Sequence, residues 1–187
     1  MTKRPDGMAT AVPNRLPRWA SGVAYAVCGW ALGGTVGTQT VSPAIVQLAR
    51  AHDPLVEAAL WLSAVLKVLS GIVVLALVQP WGRRIPRWLL LLLAWGAGTL
   101  VFVHGGLFLG VGLLAMTGVI RVSTPATLLH WYTFLWGPWW LLGGSLFLAT
   151  AWSAVRRAPV WRADLVFSAL GVGAALVLLV LSGGTIG

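Results

Sequence analysis

Between residues 19 and 182 this chain is a succession of long, almost uncharged apolar runs. Short segments between the runs hold most of its charge. That pattern constrains the fold more than any single motif. Only 9% of the residues are charged and 58% are hydrophobic, against about 25% charged in a typical water-soluble domain. There are too few charges to cover a water-facing surface. The solvent of this surface is therefore lipid, in which only helices or closed barrels satisfy their backbone groups. The lengths of the runs predict an all-α polytopic transmembrane bundle of five helices. We place them at about 19–39, 54–79, 88–112, 125–155 and 161–182, with residues 19–187 forming a single transmembrane domain.

Residues 1–18 are polar and basic, with Lys3, Arg4, Arg15 and Arg18 among three prolines. They read as a disordered cytoplasmic tail. A basic stretch before an apolar one also describes a signal peptide, and Ser42-Pro43-Ala44 weakly resembles a cleavage site. The first run is long for a signal core, so an uncleaved helix is the preferred reading. It carries Gly29, Gly33 and Gly37 at spacings of four. On a helix this is a ridge that lets a neighbour approach closely, and it predicts a homo-oligomer packed through these glycines.

Three pairs, Ser42-Pro43, Asp53-Pro54 and Thr124-Pro125, read as a cap followed by Pro at the first helical position. The third run, from Trp88 to Ile120, is longer than the roughly 20 residues a span requires. Gly105-Gly106 is the expected place for a break. Pro138 predicts a kink inside the fourth helix.

The formal net charge is +9, with Arg outnumbering Lys by 11 to 2. Nucleic acid is not the expected partner, because the basic residues sit in clusters between apolar runs rather than along one face. They suit orientation signals and contact with anionic lipid headgroups. With five helices, Lys3, Arg4, Arg15, Arg18, Arg83, Arg84, Arg87, Arg156, Arg157 and Arg162 fall on one side, and only Arg50 and Arg121 on the other. The bias places the N-terminus in the cytoplasm and the C-terminus outside. The arginine usage is associated with a GC-rich bacterial genome, hence with the bacterial cytoplasmic (inner) membrane.

The chain has one cysteine, Cys28, so neither an internal disulfide nor a CxxC redox motif is available. No phosphate-binding loop, dinucleotide fingerprint, zinc-helix motif or nucleophile elbow occurs. No cofactor or metal is expected.

The residues that could carry chemistry are few. Lys67 stands at the midpoint of the second helix, where a charge costs about 2.5–3.5 kcal/mol to insert. It calls for a partner, unless it snorkels to water or is neutral. Glu57 lies ten residues earlier and is either a favourable charge on the helix dipole or an acid at the mouth of a cavity. His104, in the third helix, could join them in a polar column. Asp164 reads as a dipole charge or a partner of Arg162. Of twelve tryptophans, most suit an interfacial belt. Trp30, Trp136, Trp139 and Trp140 fall deeper, and either fill space or line a cavity for a lipid-like or cationic group.

Several segments carry a resemblance: Trp30-Ala31-Leu32-Gly33-Gly34, Pro80-Trp81-Gly82-Arg83-Arg84, the run Val111 to Gly118, and Trp136-Gly137-Pro138-Trp139-Trp140-Leu141-Leu142-Gly143-Gly144. In this order they resemble a bacterial family of small integral membrane proteins, domain of unknown function 3995, over about residues 18–155. The histidine-aromatic-Trp approach to the first Gly-Gly in that family is replaced here by Val27-Cys28-Gly29. The resemblance implies the fold and no agreed activity.

Three functions therefore stay open. The first is a structural, accessory or solute-handling membrane subunit. The second is a terpene-cyclase-like enzyme acting on an isoprenoid or lipid, with Glu57 as acid and Lys67 and His104 in support. The third is an oligomeric transporter built around Lys67 and a broken third helix.

Overall fold

A computed structural model describes residues 29–30, 32–157 and 161–183. The described residues are helical and contain no strand. A short helix, α1 (Pro43–Arg50), is followed by α2 (Pro54–Val78) and α3 (Arg87–Met116). Next comes α4, which begins as Ala126–Trp131, widens into a π-helix over Tyr132–Trp136 and continues as Gly137–Arg156. The last helix is α5 (Trp161–Gly183).

Of the three cap-then-proline signals only Asp53-Pro54 acts in full: Ser42 makes no side-chain cap bond, and Pro125 rather than Thr124 takes the cap position of the helix that follows it. The Asp53 carboxylate accepts from the backbone N–H groups of Leu55 and Val56 at 3.0 and 3.1 Å, with Pro54 behind it needing no partner. Pro43 likewise opens α1, and Pro125 immediately precedes α4.

Three segments, Pro54–Val78, Arg87–Met116 and Ala163–Leu181, are long and apolar enough to cross a membrane. Within their most apolar windows only 11–22% of the residues are buried inside the chain. A surface so rich in exposed Leu, Val and Trp is stable only against lipid. The molecule is a membrane protein.

α3 is the central element, flanked by α4 on one face and α5 on another, while α2 touches the bundle sparingly. Glycine explains the α3–α4 contact. Cβ atoms at Gly98, Gly105 and Gly112 would run into Phe147, Leu141 and Thr133 respectively. From the other side, Cβ atoms at Gly137 and Gly144 would meet Leu109 and Phe102. As the number rises on one helix it falls on the other, so the two run antiparallel. Both rows repeat every seven residues, which keeps them on one seam. α5 crosses α3 in the same direction, with Gly171 pressed on the Leu92 carbonyl and Gly96 3.3 Å from the Gly171 oxygen by its notional Cβ.

Arg87 at the foot of α3 locks this arrangement. Its Nε and Nη2 donate to one oxygen of Asp164 at 2.9 and 2.8 Å, and Nη2 donates to the Ala154 carbonyl at 2.7 Å. One side chain thus joins α3, α4 and α5 beside the packed cluster of Leu91, Ala154 and Val155. Asp164, read from the sequence as a dipole charge or a partner of Arg162, is engaged by Arg87; the Arg162 side chain lies outside the described residues.

Three expectations are corrected. Gly105-Gly106 does not break the third helix: α3 is continuous for 30 residues, about 45 Å, and reaches Met116 rather than 112. A free break in hydrocarbon would strand backbone N–H and C=O groups, so the glycines serve close approach instead. The first helix does not extend to residue 39. Residues 29–30 and 32–37 form turns, and Thr38–Thr40 is a single 3-10 turn. Gly33 and Gly37 have φ of 81° and 83°, the left-handed region that glycine alone enters freely, so Gly29, Gly33 and Gly37 form no helical ridge. The tail at 1–18 and the first part of the expected helix, 19–28, lie outside the described residues. The kink expected at Pro138 takes the form of the π-helix just before it. Pro138 has no N–H and its ring would press on the Phe134 carbonyl, and a wider turn relieves both.

Candidate functional site

α4 carries Tyr132, Trp136 and Trp140 at spacings of four, and α3 carries His104 and Phe108 at the same spacing. Such residues share a helix face. Where α3 and α4 meet, these faces join in an aromatic ladder with Trp30 at its end. Trp30 meets Trp136 edge-on at 6.2 Å, Trp136 stacks with Trp140 at 6.1 Å, and Trp140 meets His104 edge-on at 6.0 Å. His104 lies 4.4 Å from Phe108, which stacks on Tyr132 at 5.1 Å. Offset and edge-on arrangements are those the ring quadrupoles favour.

The indole N–H groups in the ladder are used to fix the turn segment. Trp136 Nε1 donates to both the carbonyl and the Oγ1 of Thr40, each at 3.2 Å. Thr40, only 4% exposed, in turn donates its hydroxyl to the Gly37 carbonyl at 2.7 Å. Trp30 Nε1 donates to the Val36 carbonyl at 2.9 Å. Trp136 lies ten residues into α4, about 15 Å along its axis. The turns of residues 29–42 therefore dip into the bundle rather than resting on its end. Their Thr hydroxyls satisfy local carbonyls: Thr38 Oγ1 donates to Thr35 O at 2.8 Å. That is how irregular backbone is tolerated at depth.

Of the four deep tryptophans, Trp30, Trp136 and Trp140 come together, while Trp139 points outward with 62% of its surface exposed. A cavity of about 280 Å³ adjoins the turn segment, bounded by Trp30, Thr35, Thr38, Arg50, His52 and Leu60. Trp136, Trp139 and Trp140 do not line it.

The three ionisable residues are not brought together by any hydrogen bond or ion pair among the described residues. His104 is half-buried in the aromatic ladder. Glu57 faces His52 across 4.0 Å, and both side chains are largely exposed; His52 lines the small cavity and Glu57 does not. Lys67 is exposed on α2 and has no hydrogen bond or ion pair among the described residues. Ser63 and Ser70, one turn either side of it, do not bond to it. Among the described residues no three His, Cys, Asp or Glu side chains gather where they could share a metal ion.

The roles of Thr40, Phe108 and Tyr132 escaped the sequence reading, although the 132–136–140 stripe was there to be read. So did the seven-residue repeat of small residues in α3 and α4, which is diluted by other glycines, such as Gly106 and Gly110, that lie off the seam.

No curated protein matches this chain, and no solved structure does. A family model described as a protein of unknown function, DUF3995, matches residues 19–147, more than two thirds of the sequence. That match takes in the turn segment, α2, α3 and the aromatic face of α4, and the chain belongs to this family.

Proposed function

We propose that the protein is a non-catalytic subunit of a membrane assembly in the bacterial cytoplasmic membrane, and that α2 is the helix it presents to its partner. One observation carries this reading: Lys67 lies near the middle of α2, exposed and unpaired among the described residues. An ammonium group facing hydrocarbon at that depth costs about 2.5–3.5 kcal/mol, which a facing carboxylate would offset. The chain has four acidic residues. Asp53 caps α2, Glu57 is about 15 Å away along the helix, and Asp164 is engaged by Arg87. Asp6 belongs to the basic tail. None of the three described acids sits at the depth of Lys67, and Asp6 lies outside the described residues, so we assign the matching acid to a different transmembrane polypeptide.

The finer topology is part of the same proposal. The basic clusters support five crossings with the N-terminus inside and the C-terminus outside. α4, although its Trp, Pro and Gly content lowers its apolarity, runs beside α3 and counts as a crossing. The separation of Glu57, Lys67 and His104 supports a non-catalytic role over an acid-initiated cyclase. The continuity of α3 removes the broken helix that favoured a transporter.

A photoreactive amino acid at Ser63, one turn from Lys67, tests the reading in native membranes. The expected result is an adduct with a second, distinct polypeptide that disappears in Lys67→Leu. Adducts with lipid alone, or a protein adduct indifferent to Lys67→Leu, would refute it. A band at twice the chain mass would replace the distinct partner by a second copy.

A further inference from the structure

Between the end of α2 and the start of α3 the structure holds a cavity of about 640 Å³. Its walls include Leu77, Gln79, Arg83, Arg84, Arg87 and Leu90. It is built by a tight 3-10 turn, Pro80–Arg84, which begins on proline and folds back on the last turns of α2. Gly82 makes this possible. It is buried, and a Cβ there would collide with the Ala76 carbonyl, so only glycine allows the turn to lie so close. The turn fixes two adjacent arginines at the rim of the cavity.

The charge of this cavity is not neutralised within the described residues. Asp164 is committed to Arg87. Arg83 and Arg84 are exposed and make no hydrogen bond or ion pair among the described residues. Two observations give the depth. Trp81 and Trp88 flank the cavity with 42% and 47% of their surfaces exposed, as tryptophans do at the headgroup level of a bilayer. Below them the apolar surface of α2 continues outward-facing through Val78, Leu75 and Ile72. α2 packs sparingly on α3, which leaves this apolar flank below the arginines open to hydrocarbon.

We propose that this cavity is a binding site for an anionic phospholipid. The phosphate sits on Arg83 and Arg84, with Gln79 within the same polar wall, and the acyl chains run along the exposed apolar flank of α2. Guanidinium groups suit phosphate because their planar fork donates two parallel hydrogen bonds. Basic pockets between helices on the cytoplasmic side take such headgroups. The proposal rests on the geometry of the turn and is independent of the role assigned to Lys67.

The test is native mass spectrometry of the full chain in a mild detergent, titrated with phosphatidylglycerol, with phosphatidylcholine of the same chains, and with inorganic phosphate. The double variant Arg83→Gln/Arg84→Gln is compared with Arg156→Gln/Arg157→Gln, which removes the same charge elsewhere on the same side. The expected result is preferential binding of phosphatidylglycerol. It weakens by about tenfold or more in the 83/84 variant and is unchanged in the 156/157 variant. Equal weakening in both variants would reduce the effect to diffuse surface charge and overturn the site. Equal binding of the two phospholipids, or displacement of phosphatidylglycerol by millimolar inorganic phosphate, would overturn the lipid assignment. Circular dichroism of each variant shows that a loss of binding is not a loss of fold.

Discussion

Gly144→Ala is the sharpest test of the α3–α4 seam. A Cβ at Gly144 would stand 2.5 Å from the Phe102 nitrogen, 2.6 Å from its Cα and 2.7 Å from its Cβ, where ordinary contact begins at 3.4 Å. The obstacle is backbone, so no rotamer change can relieve it. The helices must separate locally by about 1 Å. Opening a gap of roughly 0.5–1 Å forfeits about a quarter to a half of each dispersion contact along the seam. Lipid offers no hydrophobic force to close it again, because tails are as apolar as side chains. Overpacking of this kind costs about 1–3 kcal/mol, so we expect a loss near 2 kcal/mol. Gly110→Ala is the matched control: it is on the same pair of helices, and its Cβ would meet nothing within 4 Å. There the removal of glycine flexibility stabilises the helix by up to about 1 kcal/mol. Equilibrium unfolding in mixed micelles, followed by far-ultraviolet circular dichroism, reads the difference of about 2–3 kcal/mol as a change in the unfolding constant of roughly thirtyfold to somewhat over a hundredfold. If the two variants unfold at the same detergent fraction, the seam is not held by close approach of glycines and the reasoning fails.

The other expectations follow from single contacts. Trp136→Phe and Trp95→Phe remove the same atoms, but Trp136 Nε1 has acceptors on Thr40 whereas the buried Trp95 Nε1 has none among the described residues. The first should cost about 1 kcal/mol more than the second in the same unfolding assay, and should raise the rate of proteolysis within residues 29–42. A reversed order would show that Trp136 does not hold the turn segment. Asp164→Asn leaves Arg87 facing a neutral group in a pocket where Asp164 is 8% exposed. Fully buried pairs lose about 3–5 kcal/mol when broken, but the Arg87 side chain is 48% exposed, so about 1–2 kcal/mol is expected, measured at neutral pH. Lys67→Leu should make insertion of α2 more favourable by about 2.5–3.5 kcal/mol in a translocon-insertion assay while abolishing the crosslinked partner. Unchanged insertion would mean that Lys67 reaches water.

Much of the fold was legible because lipid leaves the backbone few choices. The boundaries read from proline and its caps at 54 and 125 agree with α2 and α4 to within a residue, and the run from Trp88 is one helix starting at Arg87. What could not be read from pattern alone is the use to which glycine is put. The same residue at regular spacing breaks the helix near Gly33 and Gly37, and tightens it against a neighbour at Gly98, Gly105 and Gly112. The difference lies in what surrounds each set. Near Gly33 and Gly37 stand Thr38 and Thr40, whose hydroxyls donate to the local carbonyls of a turn and compete with the helix. Around Gly105 the neighbours are Val, Phe and Leu, which carry no hydroxyl to compete for the backbone carbonyls, and His104, whose ring packs on Phe108 and Trp140, so the helix persists and the missing side chain becomes room for Leu141 and Trp140.

The same distinction bears on the candidate site. A polar column of Glu57, Lys67 and His104 was a reasonable expectation while depth was the only coordinate available, since all three could be placed on neighbouring helices. Which face each residue occupies depends on how α2 is rotated about its own axis, and α2 is apolar nearly all the way round. A helix with no polar stripe carries no sequence record of its inward face. For α3 and α4 the small residues supply that record, and His104 falls on the face that meets Trp140. For α2 only Ala64 and Ala76 are buried, and at about 100° per residue they stand roughly 120° apart around the helix. Lys67, three residues from Ala64, lies roughly 60° from it on the side away from Ala76 and about opposite Ala76, where the described residues offer it no partner. The exposure of Lys67 therefore follows from the same two alanines that seat α2 on the bundle, and it is this geometry, rather than the charge alone, that directs the search for a partner outside the chain.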